Sequence, residues 1–397
     1  MSTLFTIEEP PRPPARRLAL WELGFRPFYL LASSFAALSI LLWALQFAGL
    51  LGWPAYLAGG LWHAHEMVFG FALAVIVGFL FTAGRNWSNQ PTPTGWALAA
   101  LALLWLAARV LVLTPWAWAA ALANVAFPLA AAAGLGRALV RGGNRRNYFF
   151  VGLLALLALA AALLHANRLG LIALPAHIGL QVALDVVLFI VVVMAGRVLP
   201  MFTNNGVPGA AATRKEPLEK ACLGLVLALL AVDAVGLAGP LLAVIAAAAA
   251  MAHALRWWLW QPWKTLRTPL VWVLHAAYLW VPVHLALRAA AVPGWASPSV
   301  AVHALTVGAI GGLIIGMMTR TARGHTARPL RADGFDVACY VLVLAAALVR
   351  VLLPWGLPAL TLQAVLASAL LWSAGFALYA LRYAPFLLWP RLDGRPG

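Results

Sequence analysis

Apolar and polar positions alternate along this chain in long blocks rather than at short periods. Runs of roughly 18–25 mostly apolar residues are separated by short breaks rich in glycine, proline and charge. Twelve runs centre near Leu38, Ala72, Leu104, Phe127, Ala158, Phe189, Leu227, Ala247, Tyr278, Gly308, Leu344 and Leu370. A helix of about 20 apolar residues crosses the hydrocarbon of a bilayer. The pattern therefore predicts an all-α fold: a polytopic membrane bundle of about twelve transmembrane helices. Hydrophobic residues make up 64% of the chain and charged residues 10%, which excludes an ordinary soluble domain.

The breaks carry the charge, and they carry it unevenly. The formal net charge is +16. With both termini cytoplasmic and twelve crossings, all but Arg109, Arg168, Arg288 and Arg350 of the 27 Lys and Arg fall on the cytoplasmic side. That is the positive-inside bias, so the charge calls for no nucleic-acid partner; its natural contact is membrane lipid. Residues 1–19 read as a cytoplasmic tail, 20–390 as a single transmembrane domain and 391–397 as a second cytoplasmic tail. The start of the chain lacks the apolar stretch of a signal peptide.

Within the transmembrane domain a repeat of four helices is legible, over residues 20–146, 147–268 and 269–390. The turns Gly49-Leu50-Leu51-Gly52-Trp53-Pro54, Gly170-Leu171-Ile172-Ala173-Leu174-Pro175 and Ala291-Val292-Pro293-Gly294-Trp295 correspond. Each leads into a helix with an early histidine (His63 or His65, His177, His303) and a late arginine (Arg85, Arg197, Arg320).

The chemistry concentrates in Trp62-His63-Ala64-His65-Glu66, which is costly inside a membrane helix unless it is paired, ligating or wetted. Successive helical residues turn by about 100°, so His63 and His65 point nearly opposite ways while His63 and Glu66 share a face. One regular helix cannot bring both imidazoles to one metal. Either each histidine serves its own site, His63 with Glu66 suiting a mixed nitrogen–oxygen site and His65 an axial haem ligand, or one binds and the other is hydrogen-bonded. His303 precedes a glycine-rich stretch through Gly308, Gly311 and Gly312, which suits either a flat macrocycle or close helix packing. His275 with Tyr278 reads as a ligand with a supporting hydroxyl or as a simple hydrogen-bonded pair. Asp185 reads as part of a proton path or as the partner of Arg109 or Arg350. Arg320, Arg323, His325 and Arg328 in the inner loop after the tenth run suit positive-inside charge or the anchoring of haem propionates, with His325 also suited to relaying protons or meeting a quinol head group, and Arg85 and Arg197 equivalent in the other blocks. Cys222 and Cys339 form no CxxC or CxxCH motif, so any haem is held non-covalently.

Four separated motifs resemble the NnrS family: Trp62 to Phe71; Gly196-Arg197-Val198-Leu199-Pro200-Met201-Phe202-Thr203; Leu274-His275 with Tyr278 and Trp280; and His303 to Gly312 followed by Gly316 to Arg320 and Gly324-His325-Thr326. The resemblance covers nearly the whole chain. It implies a multi-pass protein of the bacterial inner membrane that binds haem b and copper and acts in nitric-oxide metabolism or resistance to nitrosative stress. By that resemblance, His65, His303, Arg197, Arg320 and His325 are expected to bind cofactor. His63, His65, His275 and His303 are expected to ligate metal, with Glu66 as a catalytic proton donor. Electrons would come from quinol or a transfer partner. The competing expectations are a multi-helix transporter and a haem-based nitric-oxide sensor or sequestering protein without turnover.

Overall fold

A computed structural model describes residues 17–52 and 55–395. The first sixteen residues of the expected N-terminal tail, and Trp53-Pro54 of the first turn, lie outside the described residues. All regular structure among the described residues is helical. Twelve helices run in order: α1 Phe25–Phe47, α2 Gly59–Ser88, α3 Gly95–Leu111, α4 Ala117–Arg141, α5 Phe149–Arg168, α6 Ala176–Gly206, α7 Glu216–Ala234, α8 Pro240–Leu259, α9 Pro269–Ala291, α10 Pro298–His325, α11 Gly334–Gly356 and α12 Thr361–Leu388. Each contains the centre of one predicted apolar run. Ten are long and apolar enough to span a membrane; α3 is shorter, and α7 carries Glu216, Glu219, Lys220 and Asp233.

Local chemistry sets the ends. Proline occupies the first turn of α7, α8, α9 and α10, where its missing N–H costs nothing. Ser297 caps α10 by accepting from the Val300 N–H at 3.2 Å. Asp333 and Asp336 form a reciprocal capping box on α11. In the middle of α9, Pro282 cannot donate to the carbonyl of Tyr278, and the helix breaks at Leu279.

Consecutive helices pack side by side, and α1 packs on α12, so the bundle closes on itself. The Ala19 N–H donates to the Leu388 carbonyl at 2.8 Å, and Arg26 to the carbonyls of Leu387 and Trp389, which puts the start of α1 and the end of α12 at one end of the bundle. Inside, α6 touches both α2 and α10. Burial separates inner from outer helices: 78% of the most apolar window of α2 is enclosed, against 22% for α8.

Two of the inner helices are not regular. α2 winds as π-helix over Glu66–Ala72, and α10 over Ala304–Gly311, each directly after its histidines. Such wider turns gather at functional sites, because the inserted residue re-aims the side chains around it. The glycines of α10 face protein. A Cβ on Gly308 would strike Trp280, and one on Gly311 would strike Trp372. Close packing of tryptophan against bare backbone thus accounts for Gly308 and Gly311.

Candidate functional site

A cavity of about 280 Å³ opens among α1, α2, α6, α10, α11 and α12, towards the end of the bundle away from the termini. The early histidines of the three inner helices, His63, His177 and His303, all line it. A second, apolar cavity of about 100 Å³ shares the wall residues Ala72, Val187 and Ile310 and continues along the same three helices.

His63 and His303 confront each other. Their ring centroids stand 6.2 Å apart with planes 7° from parallel. Trp43 backs the far side of His63, stacked at 4.8 Å and 13°. The His303 Nδ1–H donates to the Ser299 carbonyl at 2.6 Å, one turn earlier. A carbonyl can only accept, so Nδ1 carries the proton and Nε2 keeps its lone pair. A metal-ligating histidine is commonly oriented in this way.

His65 points elsewhere. It is fully buried on the opposite side of α2, and both ring nitrogens are engaged. Its Nδ1 lies 2.7 Å from Glu66 Oε1, and its Nε2 lies 3.2 Å from Nε2 of His165 on α5. His165 Nδ1 in turn meets the Tyr56 hydroxyl at 3.1 Å. Glu66 accepts from Arg109 of α3 at 2.6 Å, and Arg109 donates onward to Asn124 of α4. Glu66 thus serves His65 and Arg109 rather than His63, and it does not line the cavity. The expected pairing of His63 with Glu66 on one face does not form, because the adjacent His65 and the Arg109 guanidinium both reach the carboxylate.

The remaining expected site residues are dispersed. His275 Nε2 meets the Thr203 hydroxyl at 2.8 Å, not Tyr278. Tyr278 meets His253 Nδ1 at 2.6 Å and accepts from Arg256 at 3.1 Å, while Arg256 also grips Glu219 with two nitrogens. Arg197 donates to Asn147 at 2.8 Å and lies against Trp87, Phe149 and Phe150. Arg320 sits 3.8 Å over the Phe202 ring. The His325 ring packs on Phe25 at 5.6 Å. Arg320 lies seventeen positions beyond His303 on one helix, roughly 25 Å at 1.5 Å per residue. The structure does not bring Arg197, Arg320 or His325 to the His63–His303 pair, and His275 belongs to the α6–α9 contact.

Asp185 pairs with Arg288 at 3.3 Å, not with Arg109 or Arg350, and Arg288 also binds Asp233. Gln181 donates to Asp185 at 3.1 Å and lines the cavity. Asp185 is therefore the carboxylate linked to the cavity wall by a single side chain. Among the described residues no three His, Cys, Asp or Glu side chains gather tightly enough to hold a metal ion by themselves.

Residues 19–391 match the sequence profile of the NnrS family, described as NnrS protein. The chain belongs to the NnrS family. No curated protein matches it. In this NnrS-family chain, sequence reasoning undervalued three residues. His177 shares the early-helix position of His63 and His303, a signal visible in the sequence. His165 and Arg350 carry no such signal; tertiary packing alone brings them to His65 and to the cavity.

Proposed function

We propose that this NnrS-family protein is a haem- and copper-binding protein of the bacterial inner membrane that acts on nitric oxide, in its metabolism or in resistance to nitrosative stress. The observation that carries the reading is the facing pair His63 and His303 in a largely apolar cavity inside the bundle. Family membership supports the physiological role.

The donors fit the groups. Imidazole nitrogens suit both iron and copper. The Ser299 carbonyl leaves Nε2 of His303 as a donor, and the His63 ring nitrogens have no hydrogen-bond partner among the described residues. His63 and His303 would hold the group, with His177 at the same cavity as a further nitrogen donor. A haem or copper held there would supply a one-electron redox couple and a metal able to bind a diatomic ligand. Trp43 fixes the plane of His63 by stacking, and the Ser299 carbonyl fixes the tautomer of His303. Valine, isoleucine and phenylalanine walls offer a neutral gas an apolar reservoir. Asp185, through Gln181, is an acidic group hydrogen-bonded to that wall. Electrons would be delivered by quinol or a transfer partner.

The test is direct. Purified protein should show a Soret band and copper in fixed proportion to the chain, and anaerobic nitric oxide with a quinol donor should be consumed beyond the number of binding sites. Haem without consumption would reduce the role to sensing or sequestration. Absence of both haem and copper would overturn the reading and favour a transporter.

A further inference from the structure

Four arginines lie towards the cavity end of the bundle: Arg109, Arg168, Arg288 and Arg350. Arg109 is matched by Glu66, and Arg288 by Asp185 and Asp233, while Arg168 is exposed. Arg350, on α11, is matched by no carboxylate among the described residues; it donates to the Ser299 hydroxyl at 3.4 Å. It lines the cavity beside His63 and His303, and no Asp or Glu shares that lining. A guanidinium is always charged, and a charge inside a membrane protein is expensive unless it meets an opposite charge or water. The other lining groups near it are neutral or basic: Gln181, Thr306, Ser368 and the three histidines. The walls around them are mostly apolar, so a charge there is weakly screened.

We propose that Arg350, with the Ser299 hydroxyl beside it, anchors a small carboxylate-like oxyanion in the cavity next to the His63–His303 pair. The planar fork of arginine matches two oxygens on one centre, which selects this class over a spherical halide. Ser299 ties the anion position to the histidines, since its carbonyl orients His303 while its hydroxyl meets Arg350. The oxyanion has two sources with the same chemistry: a free small anion from the aqueous side, or a carboxylate arm of a prosthetic group seated in the cavity. The site stands apart from the nitric-oxide reading, because binding at Arg350 needs no turnover.

Formate is the probe, with sodium chloride at equal ionic strength as control, on the full-length chain in detergent. The wild-type unfolding midpoint should rise saturably with formate. Arg350→Gln should weaken the apparent affinity by roughly tenfold or more, as expected for the loss of charge-assisted hydrogen bonds. If formate leaves the wild type unmoved, tetrapyrrole retained per chain becomes the readout. Lower retention in Arg350→Gln then assigns the carboxylate to the bound group. If Arg350→Gln does not fold, Arg350→Lys, which keeps the charge and loses the fork, should show a severalfold loss in the same readouts. An equal formate response in wild type and variant, or no formate response together with equal tetrapyrrole retention, overturns the proposal.

Discussion

His65 and His165, one hundred positions apart, meet Nε2 to Nε2 at 3.2 Å in the buried contact between α2 and α5. One of the two must donate and the other accept. The partners at their other nitrogens decide the direction. Glu66 accepts from His65 Nδ1–H, so His65 Nε2 is the acceptor and His165 donates. The Tyr56 hydroxyl then donates to His165 Nδ1. The result is a chain of donors from Tyr56 to Glu66 in which each imidazole is neutral and fully bonded, closed by Arg109.

This chain predicts a structural role for Glu66. Removing its charge in Glu66→Ala leaves Arg109 buried without a counter-charge and should cost about 3–5 kcal/mol. The double variant Glu66→Gln with Arg109→Met should recover part of that loss in unfolding midpoints. Equal destabilisation in the single and double variants would show that the ion pair is not what holds this contact.

The opposite settings of the two histidines predict a split in spectra. His303→Ala and His63→Ala should each shift or abolish the Soret band, or remove copper. His65→Ala should lower the unfolding midpoint and leave cofactor content near that of wild type. Cofactor loss in His65→Ala alone would relocate the site to the α2–α5 contact.

Gly311→Ala tests the wall of the cavity. Its new methyl would collide with Trp372, whose indole N–H donates to the Ala36 carbonyl at 3.3 Å and whose ring lines the cavity. Overpacking of this kind typically costs about 1–3 kcal/mol. Gly334→Ala, where a methyl meets nothing within 4 Å, is the control. Equal midpoints for the two variants would contradict the packing described.

Asp333, at the N-terminus of α11, predicts an acid dependence. Partial burial opposes its ionisation, but hydrogen bonds from Arg382, the Asp336 backbone and Arg323 hold the carboxyl below its usual 3.8. A carboxyl lowered on folding adds stability that is complete above its unfolded value and disappears as pH falls through the folded one. Thermal midpoints of the wild type should therefore drop below about pH 4, and Asp333→Asn should remove part of that drop. Parallel curves for the two proteins would exclude this carboxyl as a contributor.

How far the chain could be read from its residues differs between helix and site. Every apolar run became a helix because the bilayer demands internal backbone bonding over a fixed length, a requirement visible in composition alone. The opposed directions of His63 and His65 follow from helical rotation. The partner of Glu66 did not follow: helical spacing favours His63, yet Arg109 and the adjacent His65 take the carboxylate. Asp185 met Arg288 instead of Arg109 or Arg350 for the same reason, since several helices could have supplied the guanidinium.

The sequence by itself determined twelve apolar helices, the end of the bundle where the histidines cluster, and membership of the NnrS family through four ordered motifs. Only the tertiary structure decided that His63, His177 and His303 share one cavity, that His65 belongs with His165, and that Arg350 faces the cavity with no carboxylate among the described residues beside it. Helical periodicity specifies the direction of a side chain about its own axis. Which helix stands in that direction depends on how all twelve pack, and that is a property of the closed bundle.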